Sequence, residues 1–227
     1  MNKKIPSVKI ALDSDILRNL AYFCNTSNRT HRLINNQHVY HNLDDYYYLL
    51  NCYNNGLIEF RIGKVVYKEI KHLQDILDFI HQFKIKNIDA PEEQVKVMAE
   101  AYCNSYYDAN RVKHNAPMHK KYVAADNEYK PSNDAYIMAE ATIGSCYLLT
   151  NNSRDFIRYS DNPEEHLRVD GIKIINKQFK FCRLRGNKVF IPQPTTLSHL
   201  VKFLKNYTEV KFSNRQITTE EDEILEP

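Results

Sequence analysis

Residues 8–17 read VKIALDSDIL, a short apolar and β-favouring run, Val8 to Leu12, that ends on Asp13-Ser14-Asp15. Such a run suits a central strand of a sheet covered on both faces. A carboxylate at the end of a buried strand is costly unless it finds a partner. The reading of the whole chain therefore turns on what stands around Asp13.

Outward from this strand, Asp15 is placed to cap a helix carrying Ile16, Leu17, Leu20 and Phe23 on one stripe. Residues 25–42 break into a polar stretch without periodicity and read as an insertion. LDDYYYLLNCYNNG reads as a helix stopped by Gly56, and LIEFRIG as a strand. From Lys64, the spacing Val66, Ile70, Leu73, Leu77, Ile80 predicts one long amphipathic helix with Glu69 in its early turns. A further helix begins at Pro91, with Val95, Met98, Ala99, Tyr102 and Tyr106 on its apolar face, and leads into a basic loop.

SNDAYIMAEATIGSCYLLTNNSRDF then predicts helix, strand and an Asn-rich turn, and Gly171–Ile175 one more strand. Short apolar strands alternating with helices predict an α/β fold, a three-layer sandwich with a mainly parallel central sheet. After it, alternation around Gly186-Asn187 predicts a β-hairpin, and TTLSHLVKFLKN a closing helix with a Thr cap. The expected organisation is a main unit over 1–176, a hairpin and helix over 177–212 packed on it, and a disordered acidic tail over 213–227.

Composition narrows the function classes. The 227 residues include 43% hydrophobic side chains, enough for a sizeable core. Nothing resembles a signal peptide or a membrane span, and the five cysteines are scattered without a CxxC pair, so a reduced, cytoplasmic setting is expected. His38 and His41 lack the second pair that a zinc site would need. The last twelve residues hold five acids and no Lys or Arg, which leaves 31 basic against 23 acidic residues in the preceding 215. A basic body suits a polyanionic partner.

In open parallel sheets, ligands collect beyond the carboxyl ends of the strands. Asp13 stands at such an end, Asp155 follows the strand CYLLTN, Asp134 opens a helix and Glu69 lies early in another. Singly, each has an ordinary structural explanation: a helix-dipole acid, a solvated helix position, a turn charge. Their order is more specific. An apolar strand ending D-[ST]-[DNS], a helical Glu, D-x-x-I-x-A-x-A, and L-x-T-x-[DN]-x-x-[DH]-F, here IALDSDIL, VVYKEI, NDAYIMAEA and LLTNNSRDF, resembles the PIN domain, a fold of metal-dependent nucleases.

The resemblance spans roughly residues 8–175. It implies that Asp13, Glu69 and Asp134 are catalytic, metal-holding acids and that a fourth place is filled from the last motif, by Asn152 or Asp155. Asp155, which carries charge, is the choice made here. It implies Mg2+ or Mn2+, hard cations suited to carboxylate oxygens, with Ser14, Thr150 and Asn152 supporting the ligands. It further implies endonucleolytic RNA hydrolysis leaving a 5′ phosphate and a 3′ hydroxyl. Many single-domain bacterial members are toxins neutralised by a small antitoxin protein; the 25–42 insertion and the terminal hairpin depart from those compact toxins. A homodimer is left open.

Two other readings compete. A haloacid-dehalogenase-type phosphatase also begins with an apolar strand and Asp-x-Asp, but needs a later G-D-x-x-x-D after a strand, and VDGIKII puts its Asp before the strand. A PIN-like module that binds RNA or protein without cleaving is compatible with Asn152 standing where a carboxylate can stand. For RNA binding, Phe179, Phe181, Arg183 and Arg185 would share one face of an extended strand, offering rings and guanidinium groups.

Overall fold

The computed structural model of the chain describes residues 7–26, 42–113, 131–152, 156, 172–176, 181–192 and 194–206. The helices Ser14–Thr26 and Glu92–Lys113 run on into stretches read as loop from the sequence; residues 27–41 of the insertion, 114–130 of the basic loop, most of the segment after Asn152 and the acidic tail lie outside the described residues. The elements in chain order are β1 (Val8–Leu12), α1 (Ser14–Thr26), α2 (Leu43–Asn54), β2 (Ile58–Ile62), α3 (Lys64–Ile70), α4 (Gln74–Gln82), β3 (Lys86–Asn87), α5 (Glu92–Lys113), α6 (Asn133–Ile143) and β4 (Tyr147–Leu149). They are followed by β5 (Ile172–Asn176), β6 (Phe181–Leu184), β7 (Asn187–Phe190), β8 (Pro194–Thr195) and α7, helical over 197–206.

Five strands form the central sheet in the order β3-β2-β1-β4-β8, and all four pairings are parallel. Along β1, Ile10, Ala11 and Leu12 are all buried, so the sheet is covered on both faces at its middle strand. The architecture is α/β, with the helices packed on a parallel sheet as in a layered sandwich. No helix among the described residues is long and apolar enough to cross a membrane.

The last strand of the sheet is not the one expected. GIKII pairs in antiparallel fashion with β6, within a separate three-stranded sheet β5-β6-β7. The fifth place in the central sheet goes to Pro194–Thr195, paired with Leu148 and Leu149. A proline is tolerated there because an edge strand need not donate from every residue. The turn between β6 and β7 is also shifted by one residue from the expected Gly186-Asn187. It is Arg185-Gly186, both at positive φ (47° and 87°), so Arg185 lies in the turn rather than on the strand. Tyr147 of β4 packs its ring against Phe190 and Phe203, which joins β7 and α7 to the central sheet.

The single long helix expected from Lys64 is two helices, broken after Ile70. Its first turns keep the predicted face, with Val66 and Ile70 buried; after the break the phase moves, and Ile76, Phe79 and Ile80 face the core while Leu73 and Leu77 are half-buried. The apolar spacing of three and four residues runs through the break without a Gly or Pro, so periodicity alone cannot register it.

Three helices end in the same backbone motif before their strands. After α2, Gly56 N–H donates to Tyr53 O and Leu57 N–H to Cys52 O; after α4, Lys84 donates to His81 O and Ile85 to Ile80 O; after α6, Ser145 donates to Thr142 O and Cys146 to Ala141 O. The residue at the reversal has φ of 69° at Gly56, 47° at Lys84 and 52° at Ser145. Only the first is a glycine, as the sequence predicts. Lys84 is exposed and adopts a conformation that costs a side-chain-bearing residue about 1 kcal/mol. Lys84→Gly is therefore expected to stabilise the chain by roughly 0.5–1 kcal/mol, read as a rise of a few degrees in Tm.

Candidate functional site

The centre of the sheet is where the chain direction divides: β2 and β3 lie to one side of β1, β4 and β8 to the other. The carboxyl ends of β1 and β4 thus flank a topological switch point, the place where open parallel sheets leave a crevice. Asp13 follows β1 and Thr150 follows β4. Asp13 N–H still bonds to Leu149 O at 3.0 Å, so the two strand ends are held in register up to the acid itself.

Asp13 is 7% exposed. Its Oδ2 accepts from Thr150 Oγ1 at 2.7 Å and its Oδ1 from Ser14 N–H at 2.7 Å. Thr150 Oγ1 in turn accepts from Asn152 N–H at 3.0 Å, which fixes the direction in which the hydroxyl points its proton. Burial pushes the Asp13 carboxyl up from its ordinary value; the Thr150 and Ser14 bonds pull it back, and the neighbouring charges of Asp15 and Glu69 push it up again. A strand can end on this acid because both its oxygens are hydrogen-bonded; among the described residues, the charges of Asp15 and Glu69 oppose its ionisation.

Two helix starts differ from expectation. The carbonyl that accepts the first bond of α1, from Leu17 N–H at 3.0 Å, belongs to Asp13, so Asp13 and not Asp15 stands at the cap position. Asp15 is inside the first turn and pairs with Arg18 at 3.6 Å, an exposed contact worth little. At α6 the cap is Ser132, whose Oγ accepts from Ala135 N–H at 3.2 Å; Asp134 is a first-turn residue. Ser precedes Asn and Asp in this turn, and all three residue types are good caps, so the sequence does not single out one.

Glu69 is half-buried, and its Oε1 accepts from Asn133 Nδ2 at 2.9 Å. The structure therefore brings Asp13, Thr150 and Asn152 into one hydrogen-bonded group, puts Glu69 within electrostatic reach of Asp13, and ties Glu69 to the residue before Asp134. Among the described residues, no three His, Cys, Asp or Glu side chains converge closely enough to hold a metal ion. Asp155 lies outside the described residues, as do Phe179, His38 and His41. In the hairpin, Arg183 and Arg185 are exposed, but Arg183 Nη1 donates to Gly186 O at 2.7 Å and Arg185 Nη1 pairs with Glu93 Oε1 at 3.2 Å. Arg185 has left the strand face it was expected to share with Arg183, because the turn begins at it.

One acid escapes the sequence reading altogether. Glu140 is 4% exposed in α6, and its carboxylate accepts from Lys64 N–H at 2.7 Å and Val65 N–H at 3.4 Å, capping α3 from across the fold. Burial pushes its pKa up, and the backbone donors with the Lys64 and Lys68 charges oppose that. The available signal was an acid within IMAEATI, a helical segment otherwise apolar or small on every side. Glu140, Glu69 and Asn133 also border a cleft of about 430 Å3 between α3, α5 and α6.

The chain matches no family model and no curated protein.

Proposed function

We propose that the chain is a metal-dependent endoribonuclease whose reaction centre lies at the carboxyl ends of β1 and β4. The observation that carries the reading is Asp13: a buried carboxylate at the switch point of a parallel sheet, oriented by Thr150 and Ser14, whose charged neighbours Asp15 and Glu69 are acids too. A carboxylate that hydrogen bonds hold in place, with other carboxylates acting on it, is suited to a cation.

The donors agree in kind with such a cation, since they are carboxylate oxygens that Mg2+ or Mn2+ prefers. Asp13, Glu69 and Asp134, which do not converge on one point in this structure, would have to draw together with Asp155 from the segment after β4 to hold it. When bound it would supply the positive charge that lets a phosphodiester approach an acidic pocket, and would lower the pKa of an attacking water. Thr150 keeps Asp13 Oδ2 from rotating, and Asn152 N–H keeps the Thr150 hydroxyl aimed at Asp13. Asn133 does the same for Glu69.

The test is RNA cleavage by the purified chain with Mg2+, Mn2+ or EDTA, together with Asp134→Asn. Because Ser132 caps α6, the substitution leaves the cap intact and removes one charge. Cleavage is expected to fall by roughly a hundredfold or more with the melting temperature preserved. RNA binding without metal-dependent cleavage of any RNA would instead identify a binding module. Cleavage at the wild-type rate by the Asn variant, at limiting metal, would remove Asp134 from the centre. A toxin role rests on the family resemblance alone, and co-purification with a small partner protein would be its first support.

A further inference from the structure

The side of α3 that turns away from the core carries Lys64, Tyr67, Lys68 and Lys71 at intervals of three and four residues, so the four lie along one stripe. All are exposed, and Tyr67, at 43%, is among the large hydrophobic side chains most open to solvent. Lys71 continues the helical course, since its N–H donates to Tyr67 O at 2.9 Å. The opposite side of the same helix buries Val66 and Ile70, and Glu69 stands between the two sides.

The stripe borders the cleft already described. Lys64 and Lys68 line it from α3, Lys96 from α5 and Tyr136 from α6, together with Glu69 and Asn133. Its volume falls in the range of pockets that enclose a small organic group, roughly 300–1,000 Å3. Of the acids on its wall, Glu140 is engaged by backbone N–H groups as well as by the Lys64 and Lys68 charges, Glu69 accepts from Asn133, and Glu92 meets Lys64 only across 3.7 Å between exposed side chains, a contact worth little. An exposed ring flanked by ammonium groups, beside a cleft that Glu69 lines, has the composition of a single-strand binding track: rings stack bases and cations follow phosphates.

We infer that the Lys64–Tyr67–Lys68–Lys71 stripe binds single-stranded RNA and feeds it into the cleft beside Glu69. The inference deepens the nuclease reading, which it presupposes only for the direction of entry. It also moves the main RNA contact from the hairpin to α3.

The experiment uses the full chain carrying Asp13→Asn, so that substrate is not consumed, and measures anisotropy of labelled single-stranded RNA across a salt series. Changing Lys64, Lys68 and Lys71 together to Ala should weaken binding at least about tenfold at low salt. It should also reduce the slope of log affinity against log salt by about two, from ~0.7 per neutralised phosphate. The triple Arg variant should retain both affinity and slope, which excludes loss of fold as the cause. Tyr67→Ala should weaken binding by roughly tenfold while leaving the slope unchanged, and Tyr67→Phe should restore it. An unchanged slope in the triple Ala variant overturns the inference, as does a flattened slope in Arg183→Ala/Arg185→Ala alone. Tighter binding to a duplex than to a single strand overturns it too. Wild-type cleavage is scored separately: a chain that binds through the stripe but never cleaves defeats the nuclease reading and leaves the track standing, whereas a chain that cleaves with the stripe neutralised and binding unchanged does the reverse.

Discussion

Asp13→Asn is expected to lower metal-dependent RNA cleavage by about a hundredfold or more while raising the stability of the metal-free chain at neutral pH. The two effects have one cause. Burial and the charges of Asp15 and Glu69 disfavour the ionised Asp13 carboxyl, and the bonds from Thr150 and Ser14 only partly offset them. Asn keeps the size and an oxygen for Ser14 N–H, turns its Nδ2–H toward Thr150 Oγ1 so that the hydroxyl accepts where it had donated, and removes the charge. The folded chain then no longer carries a carboxylate that its surroundings oppose, and a cation no longer finds its ligand.

The pH dependence fixes the sign. The folded-state pKa of Asp13 is raised, so its unfavourable contribution is absent below the ordinary value of 3.8 and complete above the raised one. The Tm difference between variant and wild type should accordingly be smallest near pH 4 and open as pH climbs through the raised pKa. Glu140, shifted in the same direction, remains in both proteins and cancels from the difference. Added Mg2+ or Mn2+ should raise the Tm of the wild type and leave the variant unmoved, because only a folded state that binds the ion gains from it. Equal metal-induced shifts in both proteins would detach Asp13 from the cation. Thr150→Val probes the same group from the other side: it deletes the donor to Asp13 Oδ2, leaves Asn152 N–H without its acceptor, and should cost about 1–3 kcal/mol.

Gly63→Ala should give the largest loss of stability among single methyl additions at the site. The backbone at Gly63, φ −82° and ψ 163°, is open to any residue, so the cost is one of space. A Cβ there would stand 1.9 Å from Glu140 Oε2 and 2.7 Å from its Cδ. Relief requires either that α3 move off α6 or that Glu140 swing away from Lys64 and Val65 N–H, stranding a buried carboxylate. Overpacking of about 1–3 kcal/mol and weakened charge-assisted bonds together suggest a loss of about 3 kcal/mol, or roughly 6–12 °C in Tm for a chain of this length. Glu140→Ala removes the group that the new methyl strikes, so the double variant should lose clearly less than the sum of the singles. Strict additivity would mean that Gly63 is constrained by something else.

Much of this was legible locally. The apolar run into Asp13, the stripe Ile16-Leu17-Leu20-Phe23, the Gly56 reversal and the apolar strand into Thr150 are read from neighbouring residues, because strand burial, helix periodicity and left-handed turns are properties of a few consecutive positions. The α/β class with a parallel sheet follows from them. What local reading misplaced is equally specific. The break after Ile70 lies inside an uninterrupted apolar rhythm, and the reversals at Lys84 and Ser145 use side chains that bear the conformation without favouring it.

Pairing between distant segments belongs to the tertiary structure. That Pro194–Thr195 and not Ile172–Asn176 completes the central sheet is decided by which strand edges are free once the chain has folded back, and neither segment records that in its own residues. The same holds for the site. The sequence named Asp13, Glu69, Asp134 and Thr150 as residue types in an order; the 2.7 Å bond across 137 positions, the bond from Asn133 to Glu69 and the use of Glu140 to cap a helix 75 positions away exist only when the chain brings these segments together. Charge and hydrogen bonding act through space, at a few ångströms, and a sequence orders residues along the chain without saying which of them will share that distance.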